Sequence, residues 1–443
     1  MLLSLAFFSF FLLSLISFPK ALGLVLFLLP TYLIRFRIAW FSTNFLEILV
    51  LILITRQAIS GTKRLNFNLF FKKNCLLSGG IFFLLLGLIF STLFSVDKLT
   101  SLGILKSWFI IPLVFAWMIV ESSLPSLKLK TKNEKLFKIQ NFQLSVINSF
   151  LKFLAGSGLI VSIIGTFYLL TRNLTYDGRL KAFYEHPNHL AMYLVPCLLI
   201  AYGLEFIAQE RKEKIFWSLA LIIIALSLFF TYSYGAWLGA VGGILIIWRY
   251  RRMYGEIWYK RKHKMWFYSL MGLCLIGLGI IIIFSPKFQD ILTTQRSSFH
   301  SRLMIWRSAL YILKDHWFLG IGPGLFQKYY LAYQKFFPPY LEWAVPQPHN
   351  LFLAFWLQAG IIGFSGFILI LIWFFRQGLK GIKMRKKEEK RAFLALLLMA
   401  IMASTLIHGL IDTPYWKNDL AIIFWFLIGI MLMVPLYSHP HPI

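Results

Sequence analysis

Long apolar stretches separated by short basic segments dominate this chain. The stretches fall at 2–17, 20–34, 77–95, 101–120, 146–170, 187–208, 215–231, 234–248, 266–285, 350–375, 392–411 and 418–437. A hydrocarbon core of about 30 Å needs roughly 20 apolar residues per helix, so the pattern predicts about twelve transmembrane helices. A further run, 40–55, lies between two basic segments. One crossing there would break the alternation of charge, so it reads as interfacial or re-entrant. No repeat of fixed period interrupts the series. Residues 1–443 therefore read as one integral membrane domain, all-α and polytopic, with 286–348 as a single large loop.

Composition narrows the class. Of 443 residues, 59% are hydrophobic and 14% charged, with a mean hydropathy of +0.72. A water-soluble domain of this length needs far more charge, and a disordered chain needs far less hydrocarbon. Cys75, Cys197 and Cys274 each sit in or beside an apolar run and read as core or lipid-facing residues, not as a disulfide framework. The first residues resemble a signal peptide but lack a basic leading segment and a small-residue cleavage site, so they read as the first span.

The net charge is +28, from 45 Lys and Arg against 17 Asp and Glu. In so apolar a chain this excess belongs to membrane topology and not to nucleic-acid binding. Connections 35–38, 56–76, 121–145, 209–214, 249–265 and 376–391, with Lys152, hold 31 of the cations; the intervening connections hold 14. Cation-rich connections stay cytoplasmic. Both termini then lie inside, and the loop 286–348 lies outside the cytoplasmic membrane.

Ionisable side chains are costly in lipid and mark function. Here they avoid the centres of the runs and gather at external ends: His186, His189, His300, His316, His349 and His408, with Arg172, Arg179, Arg296, Arg302 and Arg307. The best-defined constellation is Gln347-Pro348-His349-Asn350. Pro348 suits a first helical position, which would put His349 in the first turn, where helix N–H groups attract anions and disfavour imidazole protonation. Gly360 falls near the same face, and Gly363 and Gly366 extend a small-residue seam for a neighbouring helix. In the preceding loop, apolar residues at 303, 306, 310 and 313 predict an amphipathic helix started by Arg302 and lying along the membrane surface. The glycine run 320–324 lacks the strand and the Gly-Lys-Ser/Thr ending of a phosphate loop and reads as a tight turn. Asp177-Gly178-Arg179-Leu180 leads to a second helix start at Pro187-Asn188. His186 and His189 have the spacing of a metal pair without supporting carboxylates, so no metal and no cofactor is expected.

These residues resemble a family. Ser301-Arg302-Leu303 with Trp306, the Gly320-x-Gly322-x-Gly324 run, and His349-Asn350 followed by Gly360-x-x-Gly363 are similar to the O-antigen ligase and O-antigen polymerase superfamily. Arg179 with Phe183, Pro187 and Asn188, and His408-Gly409-Leu410-Ile411-Asp412, extend the likeness over 177–412. The resemblance implies about twelve spans and metal-independent glycosyl transfer, at the extracytoplasmic face of the bacterial inner membrane, from a polyprenyl diphosphate-linked glycan to a hydroxyl of an acceptor lipid, glycan or protein. It implies that His349 is the catalytic base and that Arg302 holds the diphosphate. Where relatives carry Ser-Arg-Gly, this chain reads Ser233-Tyr234-Gly235, so Arg179 or Arg296 would supply the second cation. Asn350 would orient the acceptor or His349, and His408 and Asp412 would support it. Polysaccharide polymerase is the alternative within the class. A transporter or flippase is the alternative outside it.

Overall fold

The computed structural model describes residues 2–38, 41–61, 74–123, 132–254, 298–338, 342–383 and 388–434. Helices α1 (Leu2–Ile16) and α2 (Phe18–Phe27) lead through a 3-10 turn at Leu29–Leu33 into a hairpin, β1 (Arg35–Ile38) and β2 (Phe41–Asn44). α3 (Phe45–Ser60), α4 (Cys75–Leu93), α5 (Lys98–Ser122), α6 (Lys132–Leu170), α7 (Pro187–Ile207), α8 (Arg211–Phe230) and α9 (Tyr234–Tyr254) follow. α10 (Ser298–His316) and α11 (Phe326–Tyr333) precede α12 (Leu351–Lys383), α13 (Glu389–Gly409) and α14 (Asn418–Met433). Seven of these helices are long and apolar enough to cross a membrane, and α1, α2, α9 and α14 are shorter apolar helices. The protein is an α-helical polytopic membrane protein. The expected span 266–285, Cys274 and Arg296 lie outside the described residues. Cys197 is buried in α7, and Cys75 is exposed at the start of α4.

The described part of the segment 40–55 forms β2 and most of α3, which buries Leu46, Glu47, Leu49, Val50 and Leu53. Asn44 accepts from Glu47 N and caps α3 (3.0 Å). Its first turn meets α5 and α14 through buried Glu47, which accepts from Lys106 Nζ (2.8 Å) and Asn418 Nδ2 (3.1 Å). Near its other end, the Arg56 guanidinium lies over the Phe18 ring. The hairpin that precedes α3 joins the 171–186 loop, because Arg35 pairs with Glu185 at 2.9 Å. We call this end of the bundle, which also carries residues 410–417, the site end. Placing 35–38 with the other cation-rich connections is thus corrected: two arginines, one of them paired with a carboxylate of the 171–186 loop, do not set a side by charge alone. A further correction follows. Phe7 stacks on Phe45, so α1 descends from the site end, whereas α14 starts there at Asn418 and packs Gly429 against Ala116 and Val120 far along α5. The start of α1 and the end of α14 lie at opposite ends of the bundle and not on one side.

α12 is not the straight rod that periodicity predicts. In an α-helix, twelve residues span about 18 Å, yet the rings of Phe355 and Phe367 stack with centroids 3.8 Å apart. The bend is at Gly360, whose φ of 66° and ψ of −179° suit glycine alone. Backbone groups freed by a bend must find partners in a membrane protein. Here Leu357 O accepts from Ile321 N (2.7 Å), Ile361 N donates to Phe318 O (3.1 Å), and Gln358 O accepts from Ser91 Oγ (2.8 Å). The glycine turn Gly320–Gly324 is the wedge in this bend, and a Cβ at Gly360 would strike the Phe318 carbonyl. Gly360 therefore does not continue a seam with His349. Gly363 and Gly366, beyond the bend, do line a close approach to Gly87 and Gly80 of α4.

The described part of the loop 286–348 has its own small core. α10 starts at Ser298, a turn before Arg302, and buries Met304, Ile305, Ala309, Ile312 and Leu313 against Phe326, Tyr330 and Val345. Leu310 is exposed. The buried stripe shares Leu313 with the predicted 303/306/310/313 face and is otherwise displaced from it, because α10 packs on α11.

Candidate active site

His349 lies outside any helix. Asn350 caps α12, accepting from Leu353 N (3.0 Å) while its amide donates to Leu410 O (2.9 Å). Pro348 therefore does not start the helix, and the first-turn position predicted for His349 is corrected. An amide side chain competes well for a capping position, and Asn350 does so two residues after the proline. His349 takes a left-handed φ of 47°, which is strained for a side-chain-bearing residue. The Trp306 indole secures it by donating to His349 O at 3.2 Å.

This conformation brings His349 Nδ1 to 3.0 Å from Asp412 Oδ1. Burial pushes the Asp412 carboxyl up, but His349, His408 and Arg302 together hold it well below the usual carboxylate range. An ionised carboxylate only accepts, so Nδ1 carries a proton, and in the neutral form of the ring Nε2 holds the lone pair. Asp412 also accepts from Thr413 N (2.9 Å) and from Asn188 Nδ2 (2.8 Å). Its backbone N–H donates to His408 O, and His408 is buried against Gly235. The residue expected only to support the site is its centre.

Two guanidiniums flank this pair. Arg302 Nε donates to Ile411 O at 3.0 Å. Arg179 Nε donates to Thr231 O (2.7 Å) and its Nη2 to Asn188 Oδ1 (2.6 Å), leaving three of its five donors for other partners. Burial lowers the Arg179 pKa, Asp177 and Asp412 oppose that shift, and Arg302 adds to it; a guanidinium stays charged through such a change. Arg179 thus shares the site with Arg302. Tyr234 borders it, half-buried, with its ring edge-on to Trp237. The remaining candidate cation, Arg296, is outside the described residues.

The rings of His186 and His189 are 5.8 Å apart between centroids, and His186 Nδ1 accepts from Asn188 N (3.2 Å) to cap α7. Pro187 does take the first helical position there, as expected. Asn350 serves the backbone on both sides of the site and thereby holds the chain next to His349. Buried Gln358 had no signal in the sequence. Its amide joins Gly324 N (2.7 Å) and Gln347 Oε1 (2.8 Å), tying the glycine turn to the segment that bears His349. Trp306 was legible only as part of a motif.

Residues 219–368 match the family model described as O-antigen ligase. That stretch includes Tyr234, Arg302, His349, Gly360 and Gly363. Arg179, Asn188 and Asp412 lie outside it in sequence and join it in space. No curated protein matches the chain. With His349, Arg302 and the glycine wedge inside the matched segment, residues 219–368 of this polytopic membrane protein are similar to the O-antigen ligase family.

Proposed function

We propose that the protein is a metal-independent inverting glycosyltransferase of the O-antigen ligase type, which moves a glycan from a polyprenyl diphosphate carrier to an acceptor hydroxyl at the extracytoplasmic face of the inner membrane. The observation that carries this reading is the His349–Asp412 pair set between Arg179 and Arg302. Nε2 of His349 takes the proton of the acceptor hydroxyl as its oxygen attacks the anomeric carbon. The bond from that carbon to the diphosphate breaks, the electron pair leaves with the phosphate oxygen, and configuration at the carbon inverts. Asp412 supports the imidazolium formed, as a buried carboxylate does for any histidine base held at Nδ1.

The leaving group carries charge that two fixed guanidiniums neutralise without reorganisation. Arg302 is one. Arg179 fills the need created by Tyr234 in place of arginine, since both residues meet at the same border of the site. The extracytoplasmic placement follows from charge, because most of the cation-rich connections belong to the end opposite the site. The partners are then the carrier-linked glycan, an acceptor lipid or glycan, and the bilayer; no cofactor enters. Ligase and polymerase differ only in the acceptor.

The test uses the purified protein in lipid vesicles with an undecaprenyl diphosphate-linked glycan. Lipid A core and the same carrier-linked glycan are offered as separate acceptors. Transfer to the first identifies a ligase, and transfer to the second a polymerase. Absence of product with both acceptors would overturn the transferase reading.

A further inference from the structure

Asn188 separates two groups that the reaction proposed above uses in different ways. Its Oδ1 accepts from Arg179 Nη2 at 2.6 Å, and its Nδ2 donates to Asp412 Oδ2 at 2.8 Å. A guanidinium can only donate and an ionised carboxylate can only accept, so this amide has one orientation. The residue is buried, and its place in the first turn of α7 is fixed by Pro187 and the His186 cap. The bridge continues at both ends, through Thr231 O beyond Arg179 and through His349 Nδ1 beyond Asp412.

Opposite charges this close attract, and a direct arginine–carboxylate contact is commonly two-pronged and strong. Such a contact would take the guanidinium from a diphosphate and the carboxylate from the imidazole. We propose that Asn188 is a positioning residue that keeps Arg179 and Asp412 bonded to one neutral amide instead of to each other, so that one stays open to the donor diphosphate and the other stays on His349. This rests on the transferase reading for its catalytic consequence. The bridge itself stands on the hydrogen bonds alone.

The amide's donor–acceptor pattern can be reproduced by a protonated carboxyl and by no hydrocarbon. Asn188→Leu removes both bonds at similar volume, and Asn188→Asp restores them only when the new carboxyl holds a proton. Charged and titratable groups bearing on that position are Arg179 and Asp177, His186, His189, His349, Arg302, His408, Asp412 and, through His189, Lys417. Burial and the adjacent Asp412 carboxylate both disfavour a second negative charge there and oppose the pull of the Arg179 guanidinium; with these two the larger, the introduced carboxyl binds its proton more tightly when folded than when unfolded. Its stabilising bridge is therefore present at low pH and lost as pH rises through the folded value.

With the vesicle assay above, Asn188→Leu should lower kcat about 10²-fold, the scale of losing a positioned base, and raise the donor KM about 10-fold. Asn188→Asp should recover most of that kcat at mildly acidic pH and have a pH optimum displaced to acid. In parallel, its unfolding midpoint relative to the parent should be higher at pH 5.5 than at pH 8. This reading needs no catalysis and holds even if Asn188→Leu does not fold. An Asn188→Asp midpoint that tracks the parent at both pH values overturns the bridge. A midpoint that responds to pH in a parent without transfer keeps the bridge and removes the transferase reading instead. An Asn188→Leu enzyme with parental kcat and KM overturns the catalytic consequence.

Discussion

The two ends of the bundle handle their polar groups differently. At the end opposite the site, the ion pairs are separate from one another: Lys152 with Glu213 between two helices, Lys214 with Glu205, and buried Arg391 with Glu388 one turn away. At the site end, four side chains and one backbone carbonyl form one connected network, from Thr231 O and Arg179 through Asn188 and Asp412 to His349. Among the described residues, every non-glycine residue with positive φ, Arg172, Ala182, Tyr232 and His349, also lies there. Strained backbone of this kind costs about 1–3 kcal/mol per residue and persists only where the surroundings over-determine it. Cations at one end act by their number; polar groups at the other act by their position.

The difference can be broken most sharply at His349. His349→Ala should lower transfer by about 10² to 10⁴-fold while carrier binding and the unfolding midpoint stay near the parent, as a transfer assay and a thermal melt would report. Parental transfer would place the base elsewhere. Next is the second cation. Arg179→Ala should cost about 10²-fold or more in transfer, the scale of losing one fixed charge-stabilising donor, and Tyr234→Arg in that background should return part of it. A fully active Arg179→Ala protein would leave Tyr234 and Arg179 as structural neighbours only.

Gly360→Ala sharpens the comparison through stability, because it combines a forbidden backbone with a clash against the Phe318 carbonyl. We expect a loss of about 3 kcal/mol or more in denaturant unfolding, together with lost transfer. The smallest effect belongs to the opposite end. Lys152→Gln should change stability by less than about 1 kcal/mol, and a larger change would make that pair part of the packed structure.

How much of this was legible in the sequence depended on how local the cause was. Apolar runs of membrane length predicted most of the described helices, since a bilayer imposes length on each segment separately. His349, Arg302 and Arg179 were legible because ionisable groups at the ends of apolar runs are few. The helix start at residue 351 was misplaced, because Pro348 and Asn350 offer rival signals and only tertiary contacts with Leu410 and Asp412 decide between them. Gly360 read as part of a seam because nothing local reveals the wedge at Gly320. The place of the 35–38 segment was hidden because the partner of Arg35, Glu185, lies 150 residues away.

The close approach of Gly87 to Gly363 and of Gly80 to Gly366 has a consequence in time. Ser91 and Gln358, which bond across the same interface, are 267 residues apart. At a synthesis rate of about 5–20 residues per second, α4 enters the bilayer on the order of tens of seconds before its partner exists. During that interval its glycine face meets lipid or a provisional neighbour. Assembly of the active centre is therefore a late event in biogenesis, and ribosomal stalling before residue 360 would leave α4 exposed to the membrane's quality-control proteases.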